Sequence, residues 1–310
     1  MEYILLPIGL LLLIKGADIM VDGAAAVAKK LRVPPLIVGL TVISFGTSAP
    51  EAAIGIASTL SGGGAISLGN VIGSNFFNLL AVVGVTALAV PLTAENDVIR
   101  RDMPVNFLAT GALALAMLDG VIVWYEALVF LAALGIYLFA VIKNTPKAAA
   151  KKEDGRELSW LISIIMSLGG LVAIVIGGDT VVDTAKIIAG NFGMSETLIG
   201  LTVVALGTSL PELVTSLAAA RKGEDGIAIG NAVGSCLFNI LFILGISGIL
   251  KPLAVEGELL ADVWLLATVS VAVYIFALKD KRIGRAEGAV CVALYAAYTA
   301  FIILRAYGFI

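Results

Sequence analysis

The chain has 310 residues, 60% of them hydrophobic and 14% charged, with a formal charge of −3. Soluble domains run near half apolar and a quarter charged, so this composition excludes a soluble globular protein and indicates a membrane protein. No basic face is available for nucleic-acid phosphates, and the absence of histidine removes the commonest general base, zinc ligand and proton shuttle, leaving oxygen chemistry.

About twenty apolar residues cross a bilayer as a helix. The first such segment spans residues 4–28 and carries Asp18 and Asp22, four apart and so on one helix face. These aspartates line an ion path, cap neighbouring helix ends or bind interfacial water. Ala24-Ala25-Ala26 after an apolar run imitates a signal peptide. Glu2 stands where a basic region would be, however, and both aspartates recur later in the chain, so the segment reads as the first membrane helix.

The second segment, residues 36–60, holds Gly46-Thr47-Ser48-Ala49-Pro50-Glu51. A carboxylate at that depth is costly unless it faces water, a cation or another partner. Pro50 lacks an N–H and clashes with the carbonyl of Gly46, so the helix is expected to break beside Glu51. Carboxylate, hydroxyl and freed carbonyl oxygens suit sodium or calcium. Three- and four-residue spacings place Ser48 and Thr47 on the same helical face as Glu51. The third segment, 66–91, contains Gly69-Asn70-Val71-Ile72-Gly73-Ser74-Asn75-Phe76-Phe77-Asn78. Ser74 and Asn78 there can point together toward the broken helix, and Gly69 and Gly73 allow close helix approach. Segments 104–122 and 124–142 complete a group of five; Glu126 opens the last, where the helix dipole favours an acid.

A polar linker, Lys143 to Glu157, leads to a second group at 160–189, 197–219, 227–250, 263–278 and 287–304. The two groups are homologous. Residues 36–78 align without a gap on 197–239, an offset of 161, with 18 of 43 positions identical. Glu51, Ser48 and Thr47 recur as Glu212, Ser209 and Thr208; Ser74 and Asn78 recur as Ser235 and Asn239. Asp18, Asp22 and Glu126 recur as Asp179, Asp183 and Glu287. Two buried acids at related positions suggest one shared site, because helix packing needs no such pair. Cys236 and Cys291 have no metal or redox spacing and read as small core residues.

Five segments per half is odd, so the second half must enter the membrane from the opposite side, the inverted-repeat plan of many secondary transporters. The expected fold is an all-α polytopic membrane protein of ten helices. Residues 1–142 form one repeat, 143–159 a cytoplasmic linker and 160–310 the other repeat. With both termini external, 16 of the 20 lysines and arginines fall in inner loops, as cytoplasmic loops require.

The doubled Gly-Thr-Ser-x-Pro-Glu and Gly-Asn-x-x-Gly-Ser-x-x-Phe-Asn patterns resemble those of the calcium/cation antiporter superfamily, in particular its sodium/calcium exchanger branch, over nearly the whole chain. The resemblance implies a compact prokaryotic inner-membrane antiporter, not an enzyme, with four central ion sites. It makes Glu51 and Glu212 the main calcium carboxylates, aided by the carbonyls of Thr47 and Thr208. Ser48, Ser74, Ser209 and Ser235, with the carbonyls of Ser44 and Ala205, would serve sodium, and Asn78 and Asn239 would lie at the centre. Its partners would be calcium, sodium and the bilayer, with no cofactor and no obligatory protein partner evident. Some relatives carry aspartate where this chain has Asn239, and the amide favours potassium independence. Exchange would be electrogenic if three sodium ions replaced one calcium. The alternatives are a proton/calcium antiporter using the same glutamates and a passive cation channel. A serine hydrolase would need an activating base, and neither a histidine nor a suitably placed lysine is evident.

Overall fold

The computed structural model describes residues 2–144, 158–193 and 205–309. Helix α1, Glu2–Leu31, ends where Arg32 enters the left-handed region at φ 56. Pro34 then holds the chain extended, and α2, Pro35–Thr47, follows with a π-helical turn at Gly39–Ile43. Ser48 leaves helical geometry with ψ 7, and α3, Ala49–Leu60, restarts at 47° to α2 with Pro50 in its first turn. Proline is favoured there because first-turn N–H groups have no helical acceptor. Next come α4, Gly64–Ala89, with a π turn at Phe77–Val82, strand β1, Leu92–Thr93, and α5 over 98–116. Strand β2, Val121–Ile122, and α6, Trp124–Asn144, close the first half.

The second half opens with α7, Trp160–Asn191, whose first turn is capped by the Ser159 hydroxyl accepting from the Ile162 N–H. It continues with α8, Ala205–Gly207, α9, Leu210–Arg221, and α10, Asp225–Leu250, which has a π turn at Phe238–Ile243. Strand β3, Leu253–Ala254, α11, Gly257–Asp280, strand β4, Arg282–Ile283, and α12, Arg285–Ala306, follow. The carboxylates of Glu126 and Glu287 accept from the N–H of Val123 and Gly284, capping α6 and α12 as their positions suggest.

Among the described residues, seven helices are long and apolar enough to span a membrane, and the bent pair α2 and α3 makes an eighth. The segment expected to run to residue 122 stops at Ala116. Gly120 turns the chain at φ 87, and Val121–Ile122 pairs with Leu253–Ala254 instead. Helix α11 starts at Gly257, six residues before the apolar run at 263 suggests. Most of the linker and residues 194–204 lie outside the described residues.

The small strands show how the halves interlock. The 161-residue offset carries β1 onto β3 and β2 onto β4, yet β1 pairs with β4 and β2 with β3. Each half thus pairs its first strand with the other's second. At the centre lie α4 and α10, the most buried of the long helices, while α12 faces mostly outward. Helices α1 and α7 pack backbone to backbone. A Cβ at Gly170 would meet the Met20 nitrogen at 2.5 Å, and one at Gly177 the Leu13 nitrogen at 2.6 Å. Small residues permit such approach between membrane helices.

Candidate functional site

The breaks at Ser48 and Ser209 are near copies, with φ and ψ of −82 and 7 at one and −96 and 6 at the other. Each places a glutamate in the first turn of the following helix, where unpaired N–H groups and the helix dipole favour a negative charge. Glu51 and Glu212 are both fully buried. Unbroken helical spacing would set Ser48 beside Glu51; the structure does otherwise. Because the helix is interrupted at the serine, Ser48 donates to Glu212 Oε1 at 3.1 Å, and Ser209 donates to Glu51 Oε1 at 2.7 Å. Each serine serves the glutamate of the other half.

The central helices brace these acids from behind. Asn70 Nδ2 donates to the Glu51 carbonyl at 3.4 Å, and Asn231 Nδ2 to the Glu212 carbonyl at 3.1 Å and to Ser216 Oγ at 3.0 Å. Thr47 Oγ1 donates to Asn231 Oδ1 at 3.0 Å. The signal for these two asparagines in the sequence is their identity at equivalent positions of the repeat, within the doubled Gly-Asn-x-x-Gly-Ser pattern. Ser74 Oγ lies 3.3 Å from Ser209 Oγ, and Ser235 Oγ 3.5 Å from Glu212 Oε1. Ser44 is buried, and its carbonyl accepts from the Ser48 N–H at 3.0 Å and from Thr47 Oγ1 at 3.4 Å. Ala205 begins α8, three residues before Thr208.

Asn78 and Asn239 both fall in π turns, which often occur at functional positions. Asn239 Nδ2 donates to Asn75 Oδ1 at 3.1 Å. The corresponding tie for Asn78 would need an amide oxygen at position 236, where this chain has cysteine. Both amide atoms of Asn78 accordingly have no partner. Glu51 Oε2, Glu212 Oε2, Asn239 Oδ1 and Thr208 Oγ1 are likewise buried without one. Orphaned polar atoms inside a protein are costly. Carboxylate, amide and hydroxyl oxygens are the ligand types that a hard cation takes.

Two cavities flank these residues, both touching Thr208 and Ile54. One, of about 330 Å³, runs between the breaks and α7 and is lined by Asp179 and Asp183. The other, of about 450 Å³, reaches from Asn70 and Ser74 to Asp262 and Arg305. Of the four repeat-related aspartates, Asp22 pairs with Lys222 at 2.6 Å and Asp183 with Lys186 at 3.0 Å. Cys236 and Cys291 are buried and free, in keeping with a core role.

The family model described as sodium/calcium exchanger protein matches residues 1–143 and 162–304. The chain belongs to the sodium/calcium exchanger family. It is a multi-pass membrane protein of the antiporter class. It is 32% identical to the sodium/calcium exchanger MaX1 of Methanosarcina acetivorans, over 96% of this chain and 97% of that protein. The inner membrane protein YrbG of Escherichia coli is 34% identical over 80% of this chain and 79% of its own length. The solved structure of the sodium-calcium exchanger NCX_Mj, soaked with zero sodium and calcium, superposes with a TM-score of 0.86. It is 31% identical and covers 97% of this chain and 98% of its own.

Proposed function

We propose that this exchanger moves calcium against sodium by alternating access, with Glu51 and Glu212 as the carboxylates that hold calcium. The observation that carries the reading is the pair of reciprocal serine–glutamate bonds, which leaves one oxygen of each buried carboxylate without a partner. Two glutamates balance one calcium ion. Three sodium ions in its place would leave about one net positive charge, making the exchange electrogenic. Thr47, Thr208, Ser48, Ser209, Ser74, Ser235, Ser44 and Ala205 supply further hydroxyl or carbonyl oxygens, and Asn78 and Asn239 supply amides at the centre. The amide at 239 carries no charge for a further cation to balance, which accords with potassium independence.

The same reading takes the fold as ten spans in two inverted repeats. Helices α2 with α3 and α8 with α9 form the broken spans, and both termini are external. The interchange of strands between halves and the inner location of most basic residues support it. Both cavities then open on the external side. The test is calcium uptake into proteoliposomes under separately imposed sodium, potassium and proton gradients. Uptake driven by sodium alone is expected, with a change in membrane potential altering its rate. Uptake driven by protons alone would establish the proton/calcium antiporter instead, and calcium leak without any coupled ion would establish a channel.

A further inference from the structure

The cavity of about 450 Å³ beside Ser74 and Thr208 ends in an ion cluster apart from the serine–glutamate pairs. Arg305, in the last turn of α12, forks onto Asp262 with contacts of 3.0 and 2.7 Å, and its Nε lies 3.1 Å from Glu258. Asp262 is 3% exposed, whereas Glu258, one helical turn earlier on α11, is 68% exposed. Asp262, Arg305, Tyr295 and Tyr298 share the cavity wall with Ser74 and Thr208, so the cluster lies on the way to the central oxygens.

The other half holds a related cluster with a different fate. The repeat offset carries Tyr137 onto Tyr298 and Asp97 onto Glu258. There Asp102 is fully buried, bonded by Tyr137 at 2.9 Å and by Arg101, its neighbour in sequence. None of Asp102, Arg101 and Tyr137 lines either cavity. The inner cluster is therefore a packing element. The outer one places Asp262 and a guanidinium from another helix on the cavity wall, with Glu258 exposed beside the same guanidinium.

Acids lining a cation path raise the local cation concentration, and a fixed arginine opposes it. We propose that Arg305 is a tethered counter-cation that occupies the acid pair Asp262 and Glu258 and prevents it from capturing entering cations, leaving Glu51 and Glu212 as the carboxylates a cation meets. This rests on the transport reading for its consequence but not for its first test.

That test uses terbium(III) as a calcium probe on the detergent-solubilised full chain carrying Glu51→Gln and Glu212→Gln. Adding Arg305→Gln should create tyrosine-sensitised terbium luminescence through Tyr295 and Tyr298, and further adding Asp262→Asn should remove it. Arg305→Lys, which keeps the charge but not the fork, should give a smaller gain and covers the case in which the glutamine variant fails to fold. No gain in either variant overturns the proposal. The second test returns Glu51 and Glu212 to the chain and measures uptake in proteoliposomes. Arg305→Gln should lower the apparent KM for external calcium about threefold at low salt, with the difference vanishing at high salt. An unchanged KM overturns the proposal. If the parent moves no calcium, the transport reading fails, and the luminescence result still decides the role of Arg305.

Discussion

Ser209 donates its hydroxyl proton to Glu51 Oε1 at 2.7 Å although the two residues stand 158 positions apart. The converse bond from Ser48 to Glu212, at 3.1 Å, makes the two halves halves of one site rather than two sites side by side. Either glutamate has its Oε1 bonded by a serine of the repeat that does not contain it, while its carbonyl is held by an asparagine of its own repeat. A movement of one half against the other would therefore change both bonds together.

Glu51→Gln and Glu212→Gln are each expected to abolish sodium-driven calcium uptake while the protein still inserts and folds, because the amide keeps the volume and loses the charge calcium requires. Near-normal flux in both variants would refute the assigned site. Ser48→Ala and Ser209→Ala remove one hydrogen bond to a charged group, of about 1.5–3 kcal/mol. They should raise the sodium needed for half-maximal exchange about tenfold. A change confined to protein abundance would instead mark these serines as packing residues.

Asn239→Asp removes the donor that now reaches Asn75 and adds a third carboxylate to the two glutamates. Like charges at close range ionise together only if a proton or further cation is held as well. Calcium exchange should become more sensitive to external pH or to potassium than in the parent, measured between about pH 6 and 9 with and without potassium. Identical profiles would remove Asn239 from the shared cavity.

Cys236→Asn should give Asn78 the amide partner that Asn75 gives Asn239. One hydrogen bond gained in the empty site is about 1 kcal/mol, so the KM for calcium should rise about fivefold as Asn78 is withdrawn. Cys236→Ala, which offers no acceptor, should stay near the parent value. Equal effects from both variants would show that volume at position 236 matters and the tie does not.

Asp102→Asn should destabilise the protein without changing ion selectivity. It breaks a buried ion pair with Arg101, at a cost of about 3–5 kcal/mol, whereas Tyr137→Phe removes one hydrogen bond to that carboxylate, for about 1.5–3 kcal/mol. Thermal unfolding in detergent should rank them in that order below the parent. An altered ratio of sodium to calcium affinity in either variant would contradict a purely structural role.

A cysteine placed at position 151, in a variant lacking Cys236 and Cys291, should resist a membrane-impermeant thiol reagent added outside intact cells, since the basic linker is taken as cytoplasmic. Ready labelling would reverse the orientation.

The composition and the 161-residue offset identify a membrane protein made of two related halves, because apolar content and repetition are properties of the chain itself. Pro50 and Pro211 mark the breaks for an equally local reason, since a proline ring conflicts with its own preceding turn. The paired acids follow, because two glutamates retained in apolar stretches need a shared purpose. Spacing along a helix failed at Ser48, where it pointed to Glu51. An angular relation between residues holds only while the helix is unbroken, and the break that makes the site also voids the rule. Tertiary packing decided the rest. Within each half, the packing of neighbouring helices brings Asn70 and Asn231 to the glutamate carbonyls, and between the halves it assigns Ser48 to Glu212 and pairs β2 with β3, beyond the end of α5 at Ala116. Such partners lie across interfaces between helices or between halves, and only the close approach of packed elements brings their atoms within bonding distance.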